Sequence, residues 1–291
     1  MSVYGIPQAK QETQEPAVTT ATIRAAKGQR KIAMVTAYDY ASALMVDAAG
    51  VDIVLVGDSF GMVMLGRPDT ISVTLEEVIH HARAVVAGVR RALVVSDMPF
   101  MTYEGGPAQA MENAARLLRA SGVRAVKIEG GNIVAPQVKA LVEAGIPVMG
   151  HIGLTPQRAA VLGGFKVQGK TAAADRILEE DALTLQEAGC FSLLLEAMPP
   201  AVAEIVSASL RIPTIGIGAG ASCDGQVLVL HDMLGLLEGH LPRFVKQYAH
   251  LAAEGREAVA RYVREVREGT FPAAEHCYSM PEEEERILRG K

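Results

Sequence analysis

The chain has 291 residues, of which 49% are hydrophobic, and a formal net charge of −5 at pH 7. It is long enough to bury a large apolar core, and its length is close to that of a single (β/α)8 barrel. The negative net charge and the lack of a Lys/Arg block argue against a nucleic-acid surface or a polybasic membrane patch, so we expect a small-molecule ligand.

The three cysteines, Cys190, Cys223 and Cys277, lie far apart and form no C-x-x-C motif. This argues against a disulfide framework and a structural zinc site, and it is typical of a reducing compartment. No basic-then-apolar signal pattern opens the chain, and no apolar run approaches the roughly 20 residues of a membrane helix. We therefore expect a cytoplasmic protein.

Residues 1–20 lack apolar periodicity and are rich in Gln, Glu, Thr and Pro, so we expect a mobile arm there. From Lys31 onward, strand-like apolar runs alternate with helical patterns. The predicted strands cover 31–36, 53–56, 93–96, 125–128, 147–150, 192–195, 214–217 and 227–230. The predicted helices cover 39–49, 74–89, 107–120 and 172–188, with a shorter one beginning near Pro200.

Eight strand-and-connection units predict a closed parallel sheet, the (β/α)8 or TIM barrel. An open doubly wound sheet is the alternative, because repeated βα units do not reveal whether a sheet closes. Residues 242–267 have an amphipathic helical pattern and are expected to pack on the barrel or on a neighbouring subunit. We assign 21–275 to one barrel domain with additional C-terminal helices, and 276–291 to a solvated acidic tail.

Four predicted strands end in acidic residues: Asp58, Asp97, Glu129 and Glu196. A lone acid after a strand is often only a helix cap, but four such ends argue for a shared site. In a barrel the carboxyl ends of the strands meet at one mouth, and neighbouring strands lie about 4.8 Å apart. The first three acids are therefore expected to converge. Alternation along the strand places Lys127 beside Glu129 in this mouth.

Three converging carboxylates repel one another, and a divalent cation is the simplest way to neutralise them. An all-oxygen ligand set favours a hard ion, so we expect Mg2+ at Asp58, Asp97 and Glu129. The alternative is a structural network in which these acids pair with Lys and Arg. A metal beside a lysine further suggests a 2-keto acid, chelated through its carboxylate and keto oxygens, whose neighbouring carbon becomes more acidic.

Removing a proton from that carbon needs a base, and Glu196 is predicted to face the metal group from across the barrel. Alternatively, Glu196 only stabilises the amino terminus of the next helix. His151 either contacts the substrate or is a structural residue. The loop 163–170 contains three glycines and two lysines, so we expect a mobile cover over the site or a solvated surface loop.

Several ordered blocks make the chain resemble the ketopantoate hydroxymethyltransferase family, also called 3-methyl-2-oxobutanoate hydroxymethyltransferases. The resemblance extends from about Lys31 to about Gly239. Its most specific blocks are MVTAYD (34–39), VGDS (56–59), SDMPF (96–100), VKIEGG (126–131), GHIGLTPQ (150–157), LE (195–196) and GIGAG (216–220). The predicted arm and the acidic tail lie outside this shared pattern.

The resemblance implies a (β/α)8 barrel that transfers a hydroxymethyl group from 5,10-methylenetetrahydrofolate to 3-methyl-2-oxobutanoate, giving 2-dehydropantoate in pantothenate and coenzyme A biosynthesis. It also implies a large homo-oligomer, commonly a decamer. By position it assigns Mg2+ to Asp58, Asp97 and Glu129, keto-acid contacts to Asp58, Ser59, Asp97 and Lys127, proton acceptance to Glu196, and a place in the substrate pocket to His151.

Two other classes of function stay open. A Mg2+-dependent carbon–carbon lyase of the phosphoenolpyruvate mutase and isocitrate lyase kind also chelates a keto acid in a barrel. Such enzymes typically carry a reactive Cys in a loop, and none of the three cysteines lies beside the predicted acids. A noncatalytic assembly protein on a degenerate barrel is the other class, and the retained acids, Lys127 and Glu196 argue against it.

Overall fold

The computed structural model describes residues 16–239 and 241–290. Its sheet is closed, because consecutive strands pair in parallel and the first strand also pairs with the last. The strands are β1 Ile32–Thr36, β2 Ile53–Val56, β3 Leu93–Asp97, β4 Ala125–Glu129, β5 Val148–Gly153, β6 Ser192–Glu196, β7 Thr214–Ile217 and β8 Gly225–Leu228. The predicted (β/α)8 barrel is confirmed, and the open sheet is excluded.

Helices follow most of the strands and surround the sheet. They are α1 Thr20–Ala25, α2 Tyr40–Ala48, α3 Phe60–Val63, α4 Leu75–Gly88, α5 Pro107–Ser121, α6 Ala135–Glu143, α7 Ala159–Leu162, α8 Ala172–Glu187, α9 Pro200–Ser209, α10 Leu230–Met233, α11 Leu251–Glu268 and α12 Glu282–Leu288. The start of α4 follows from its capping box, in which Thr74 and Glu77 satisfy each other's backbone N–H groups. Within the described residues, no helix has the length and apolarity that a membrane crossing requires.

The sheet divides the apolar core into two layers because side chains alternate along each strand. Inward-pointing residues such as Met34, Leu55 and Val95 fill the barrel, whereas outward-pointing residues such as Val54 and Ile128 pack against the helices. This alternation leaves the polar groups at the strand ends facing the mouth.

The amino-terminal boundary of the barrel differs from the prediction. Val18 is only 6% exposed and joins the apolar layer inside the barrel, together with Ile23 of α1. Its backbone N–H donates to the carbonyl oxygen of Arg91 at 2.8 Å. Residues 18–20 therefore belong to the barrel and not to a mobile arm, while residues 1–15 of the predicted arm lie outside the described residues.

Two further predicted boundaries are wrong, and two segments predicted as tail and loop contain helices. The eighth strand lies at 225–228 instead of 227–230, because the backbone N–H of Leu230 already donates to the side chain of Thr36. The C-terminal helix begins at Leu251 and not near 242, because backbone N–H groups at 248–252 donate to carbonyls of 233–235 instead of continuing a helix. Part of the predicted acidic tail forms α12, and part of the loop predicted after β2 forms α3.

Helix α11 buries none of its residues in the chain, although it is amphipathic. Val259 and Tyr262 are 62% and 54% exposed. The barrel also has an uncovered surface. The outer faces of β1 and β8 line an open cavity of about 700 Å3, together with Phe244 and Tyr248. The expectation that this helix packs on its own barrel is therefore wrong, and packing on a neighbouring subunit stays a prediction.

Candidate active site

The ammonium group of Lys127 lies between two carboxylates in the barrel mouth. Its Nζ is 2.9 Å from Asp97 Oδ1 and 3.4 Å from Glu129 Oε1. The register explains this, since Asp97 lies opposite Lys127 in the β3–β4 pair and Glu129 is two residues further along β4. All three residues are buried. The predicted acids do converge, but they are not unpaired, because a lysine lies among them.

Asp58 joins this group through its backbone and through an amide. Its N–H donates to Asp97 Oδ2 at 3.0 Å, and its Oδ2 accepts from Nε2 of Gln157 at 2.8 Å. The backbone N–H of Gln157 donates to Glu129 Oε2 at 3.1 Å, and the side-chain Oε1 of Gln157 accepts from the Tyr103 hydroxyl at 2.7 Å. Gln157 thus connects two acids that come from different strands.

Gln157 and Tyr103 were not singled out from the sequence. The available signal for Gln157 was its position at the end of the GHIGLTPQ block, which follows β5. Tyr103 lies in the connection between β3 and α5 and gave no signal. Neither residue belongs to a type that a search for acids, bases or metal ligands selects.

Burial and neighbouring charges shift the pKa values of the three acids in different directions. Burial raises the pKa of Asp58 well above its ordinary value, and repulsion by Asp97 and Glu129 adds to this. Burial also raises the pKa of Asp97, although Lys127 opposes the rise. For Glu129, burial is outweighed by Lys127 and His151, which lower its pKa to about 2. Ionisation is therefore disfavoured at the two aspartates and favoured at Glu129.

His151 connects the acid group to Glu196. Its Nδ1 is 3.3 Å from Glu129 Oε1 and 3.2 Å from the Nζ of Lys127, and its Nε2 is 3.2 Å from Glu196 Oε2. Burial and the Lys127 ammonium lower the pKa of His151, but the two glutamates outweigh them and raise it to about 9. This histidine is therefore a cation between two carboxylates.

Glu196 ends β6, which in the closed eight-stranded barrel lies four strands from β2, the strand before Asp58, and three strands from β3, which carries Asp97. Glu129 pairs with His151 in the β4–β5 register, and Glu196 pairs with Gly153 in the β5–β6 register. Glu196 thus lies two strands from Glu129, close enough to share His151 with it. Its side chain is 17% exposed, compared with 2% for Glu129, so it is the acid that solvent and substrate reach most easily.

Ser59 lies at the edge of the group, directly after Asp58. Its Oγ is 2.8 Å from the hydroxyl of Tyr38. Tyr38 is fully buried and packs edge-on against Phe60, with ring centroids 6.1 Å apart. The Ser59 hydroxyl therefore has a fixed partner on one side and stays half-buried on the other.

The donor set fits a hard divalent cation in its chemistry. Asp58 and Asp97 offer carboxylate oxygens from adjacent strands, and burial with mutual repulsion makes their shared negative charge costly. Across residues 16–239 and 241–290, no group of three or more Asp, Glu, His or Cys side chains is arranged to hold a metal. Lys127 accounts for this, because it occupies the space between Asp97 and Glu129.

The loop 163–170 lies next to the end of β6. Gln168 donates its backbone N–H to the carbonyl oxygen of Ala197 at 2.9 Å, which fixes the loop one residue from Glu196. Lys166 and Lys170 are exposed. The loop is thus near the mouth, as a cover requires, and its movement stays a prediction.

The closed barrel, with buried acids, a lysine and a His–Glu pair at the carboxyl ends of its strands, defines the class of protein as a (β/α)8-barrel enzyme. Comparison with known protein families then identifies the family of this enzyme. The sequence profile of ketopantoate hydroxymethyltransferase matches residues 17–274. The chain belongs to the ketopantoate hydroxymethyltransferase family.

Relatives from several bacteria agree with this assignment. The 3-methyl-2-oxobutanoate hydroxymethyltransferase of Nitratidesulfovibrio vulgaris (strain DP4) is 68% identical over 263 residues, which cover 90% of this chain and 86% of that protein. The protein of the same name from Oleidesulfovibrio alaskensis is 64% identical over 270 residues and 93% of both chains. The named resemblance is confirmed.

Solved structures show the same fold at low sequence identity. Phosphonopyruvate hydrolase in complex with oxalate and Mg++ matches with a TM-score of 0.57 and 12% identity, over 93% of this chain and 94% of that one. Phosphoenolpyruvate phosphomutase from Streptomyces platensis subsp. rosaceus matches with a TM-score of 0.57 and 17% identity, over 93% and 95% of the two chains. These likenesses concern the barrel alone.

Proposed function

We propose that the chain transfers a hydroxymethyl group from 5,10-methylenetetrahydrofolate to 3-methyl-2-oxobutanoate, with Mg2+ as cofactor, giving 2-dehydropantoate. The hydroxymethyltransferase activity and its place in pantothenate biosynthesis follow from the family. The observation that carries our assignment of residues is the continuous row of charged groups Asp97, Lys127, Glu129, His151 and Glu196, in which each member lies within 3.4 Å of the next.

Asp58 and Asp97, with Glu129 beside them, would hold Mg2+, which when bound withdraws electrons from the keto group and acidifies the neighbouring C–H. Lys127 supplies a fixed positive charge for the anionic keto acid. Its ammonium stays protonated, because the surrounding carboxylates outweigh the effect of burial and raise its pKa. The half-buried hydroxyl of Ser59 donates to an oxygen of the same substrate.

Glu196 accepts the proton from the branched carbon of the keto acid. Its position at the exposed end of the row suits it to this role, and Nε2 of His151 lies 3.2 Å from its Oε2. The carbon then bonds to the methylene carbon of the folate as one of the two C–N bonds of that methylene breaks. The oxygen of a water molecule replaces the second nitrogen as the other C–N bond breaks. The proton taken from the keto acid and one proton of the water go to the two folate nitrogens, so tetrahydrofolate leaves.

The lyase alternative finds less support in the structure. Cys190 and Cys223 are buried, and Cys277 is exposed near α12. Burial raises the pKa of Cys190 to about 12, so its thiol is a poor nucleophile at neutral pH. Cys277 bonds only to the carbonyl oxygen of Ala273 among the described residues, so no hydrogen bond joins it to the acid group. The three free thiols also fit the proposed cytoplasmic location.

We further propose that the enzyme is a homo-oligomer in which α11 covers the outer face of β1 and β8 of another copy. The amphipathic helix has exposed apolar residues, and the barrel has an uncovered apolar face lined by Val35, Leu228 and Phe244. Packing the helix of one copy on this face of another would bury both apolar surfaces. A decamer is suggested by the family resemblance alone.

The direct test of the function is product formation. Purified protein is incubated with Mg2+, 3-methyl-2-oxobutanoate and 5,10-methylenetetrahydrofolate, and 2-dehydropantoate is measured by mass spectrometry. We expect product only when all three are present. Cleavage of the keto acid without the folate would instead support the lyase.

A further inference from the structure

A second cavity, of about 460 Å3, adjoins the barrel mouth without including the charged row. Residues 130–131 and 152–153 line it, and these follow Glu129 and His151 directly. Gln168, which also lines it, is the residue hydrogen-bonded to Ala197 beside Glu196. A ligand in this cavity therefore lies against the strand ends that carry three of the site residues. Its volume lies in the range of small-molecule sites, about 300–1,000 Å3.

The carboxylate of Asp181, on α8, is built into the wall of this cavity. Its Oδ1 accepts the backbone N–H of Asn132 at 2.7 Å. A Cβ at position 131 would lie 1.9 Å from its Cγ, so only Gly131 allows the carboxylate to lie against this backbone. In the part of the chain that the structure describes, Oδ2 accepts no hydrogen bond. The carboxylate thus has free acceptor capacity in a fixed place.

Two further properties of the cavity describe its ligand. Arg158 lines it and makes no ion pair with any described residue. The apolar side chains of Leu162, Ile177 and Leu178 line the same space, and Ile177 is 59% exposed. The cavity therefore combines a fixed acceptor, a cation that has no ion-pair partner among residues 16–239 and 241–290, and an apolar surface. A small keto acid has no donor for Asp181, and its charge would be repelled there.

We propose that this cavity binds the reduced folate, with Asp181 accepting hydrogen bonds from the amino group and ring N–H of the pteridine. This inference rests on the proposed function. The pteridine presents two adjacent donors on one edge, the pattern that a carboxylate accepts most strongly. Arg158 pairs with a carboxylate of the glutamate tail, and the apolar residues contact the ring system. The one-carbon unit then reaches the keto acid from the side of β4 and β5.

The test measures tetrahydrofolate binding by isothermal titration calorimetry under reducing conditions. Asp181→Asn keeps the acceptor for Asn132 but removes the charge, and we expect at least a tenfold loss of affinity. Ile177→Glu introduces a charge into the cavity from an exposed position, and we expect a similar loss. The matched controls are Glu180→Gln and Leu183→Glu on the same helix, which do not line the cavity and should bind as the parent does.

A separate readout distinguishes this inference from the proposed function. Exchange of the keto-acid C–H with deuterated water in the presence of Mg2+ needs no folate, and all four variants should exchange at the parental rate. Parental affinity for tetrahydrofolate in Ile177→Glu and in folded Asp181→Asn would overturn the folate site. If Asp181→Asn does not fold, Ile177→Glu decides alone. A parent that binds tetrahydrofolate through Asp181 but makes no 2-dehydropantoate would refute the function and leave the site standing.

Discussion

The amide of Gln157 holds Asp58 in place by a hydrogen bond of 2.8 Å between residues 99 positions apart. The same side chain accepts from Tyr103, and its backbone N–H donates to Glu129. Gln157 is uncharged. Its side chain orients Asp58, and its backbone N–H adds a hydrogen bond to Glu129, which Lys127 and His151 also contact.

We predict that Gln157→Leu weakens Mg2+ binding by about 10-fold to 100-fold, the usual effect of losing a partner of a metal ligand. The variant also removes the hydrogen bond from the Gln157 amide to the buried carboxylate of Asp58, which costs about 1–3 kcal/mol of stability. Calorimetric Mg2+ titration and urea unfolding measure the two effects. The control is Gln109→Leu, which also removes an amide with two hydrogen bonds but lies outside the acid group. Equal Mg2+ affinity in the two variants would contradict the orienting role.

We predict that Glu196→Gln lowers the rate of keto-acid C–H exchange by about 10²–10⁴-fold, the usual contribution of a general base. Mg2+ and keto-acid binding should change little, since Glu196 lies at the far end of the charged row. NMR in deuterated water measures the exchange without folate. Glu204→Gln, an exposed acid on α9, is the control. Exchange at the parental rate in Glu196→Gln would remove Glu196 from the base role.

We predict that the free energy of unfolding falls as the pH rises from about 6.5 to beyond 9. The pKa of His151 is raised from 6.5 to about 9 in the folded chain. Its protonated form therefore stabilises the fold fully below pH 6.5, and this contribution is lost as the pH passes through the folded pKa. The shift corresponds to roughly 3 kcal/mol. Urea unfolding across this range should show a flatter curve for His151→Gln, and the same slope in both proteins would count against the charged histidine.

We predict that Lys127→Met lowers the free energy of unfolding of the protein at neutral pH. Two buried carboxylates lose their shared cation, and breaking such a group costs about 3–5 kcal/mol. Added Mg2+ should restore part of this stability, because it can take over the lost charge. Thermal unfolding with and without Mg2+ measures both changes. A melting temperature equal to that of the parent in metal-free buffer would show that Lys127 does not stabilise the group.

We predict that Tyr262→Glu reduces the size of the oligomer. Tyr262 is an exposed aromatic residue of α11, and a charge there opposes burial against another copy. Size-exclusion chromatography with light scattering measures the mass. Arg261→Gln on the same helix is the matched control and should keep the parental mass. An unchanged mass for Tyr262→Glu would separate α11 from assembly.

The sequence predicts most of the barrel because each strand is a short apolar run between helical patterns. It also places Asp58, Asp97, Lys127 and Glu129 together, because strand ends and alternation are local properties. The contact of Glu196 with His151 depends on the register between β5 and β6, which no local pattern reveals. Gln157 and Asp181 escaped notice for a related reason, since their hydrogen bonds join segments that are distant in the chain.

The place of Lys127 among the carboxylates has a consequence for the proposed Mg2+ site. The lysine is an internal counterion that belongs to the chain, so the acid group does not need a metal in order to assemble. A Mg2+ ion bound as proposed would have to displace or share this existing partner, which would weaken its net affinity and make it exchangeable with the medium. A chelator should thus inactivate such an enzyme reversibly without unfolding it. Proteins that fold only when their metal binds behave differently, because a chelator unfolds them.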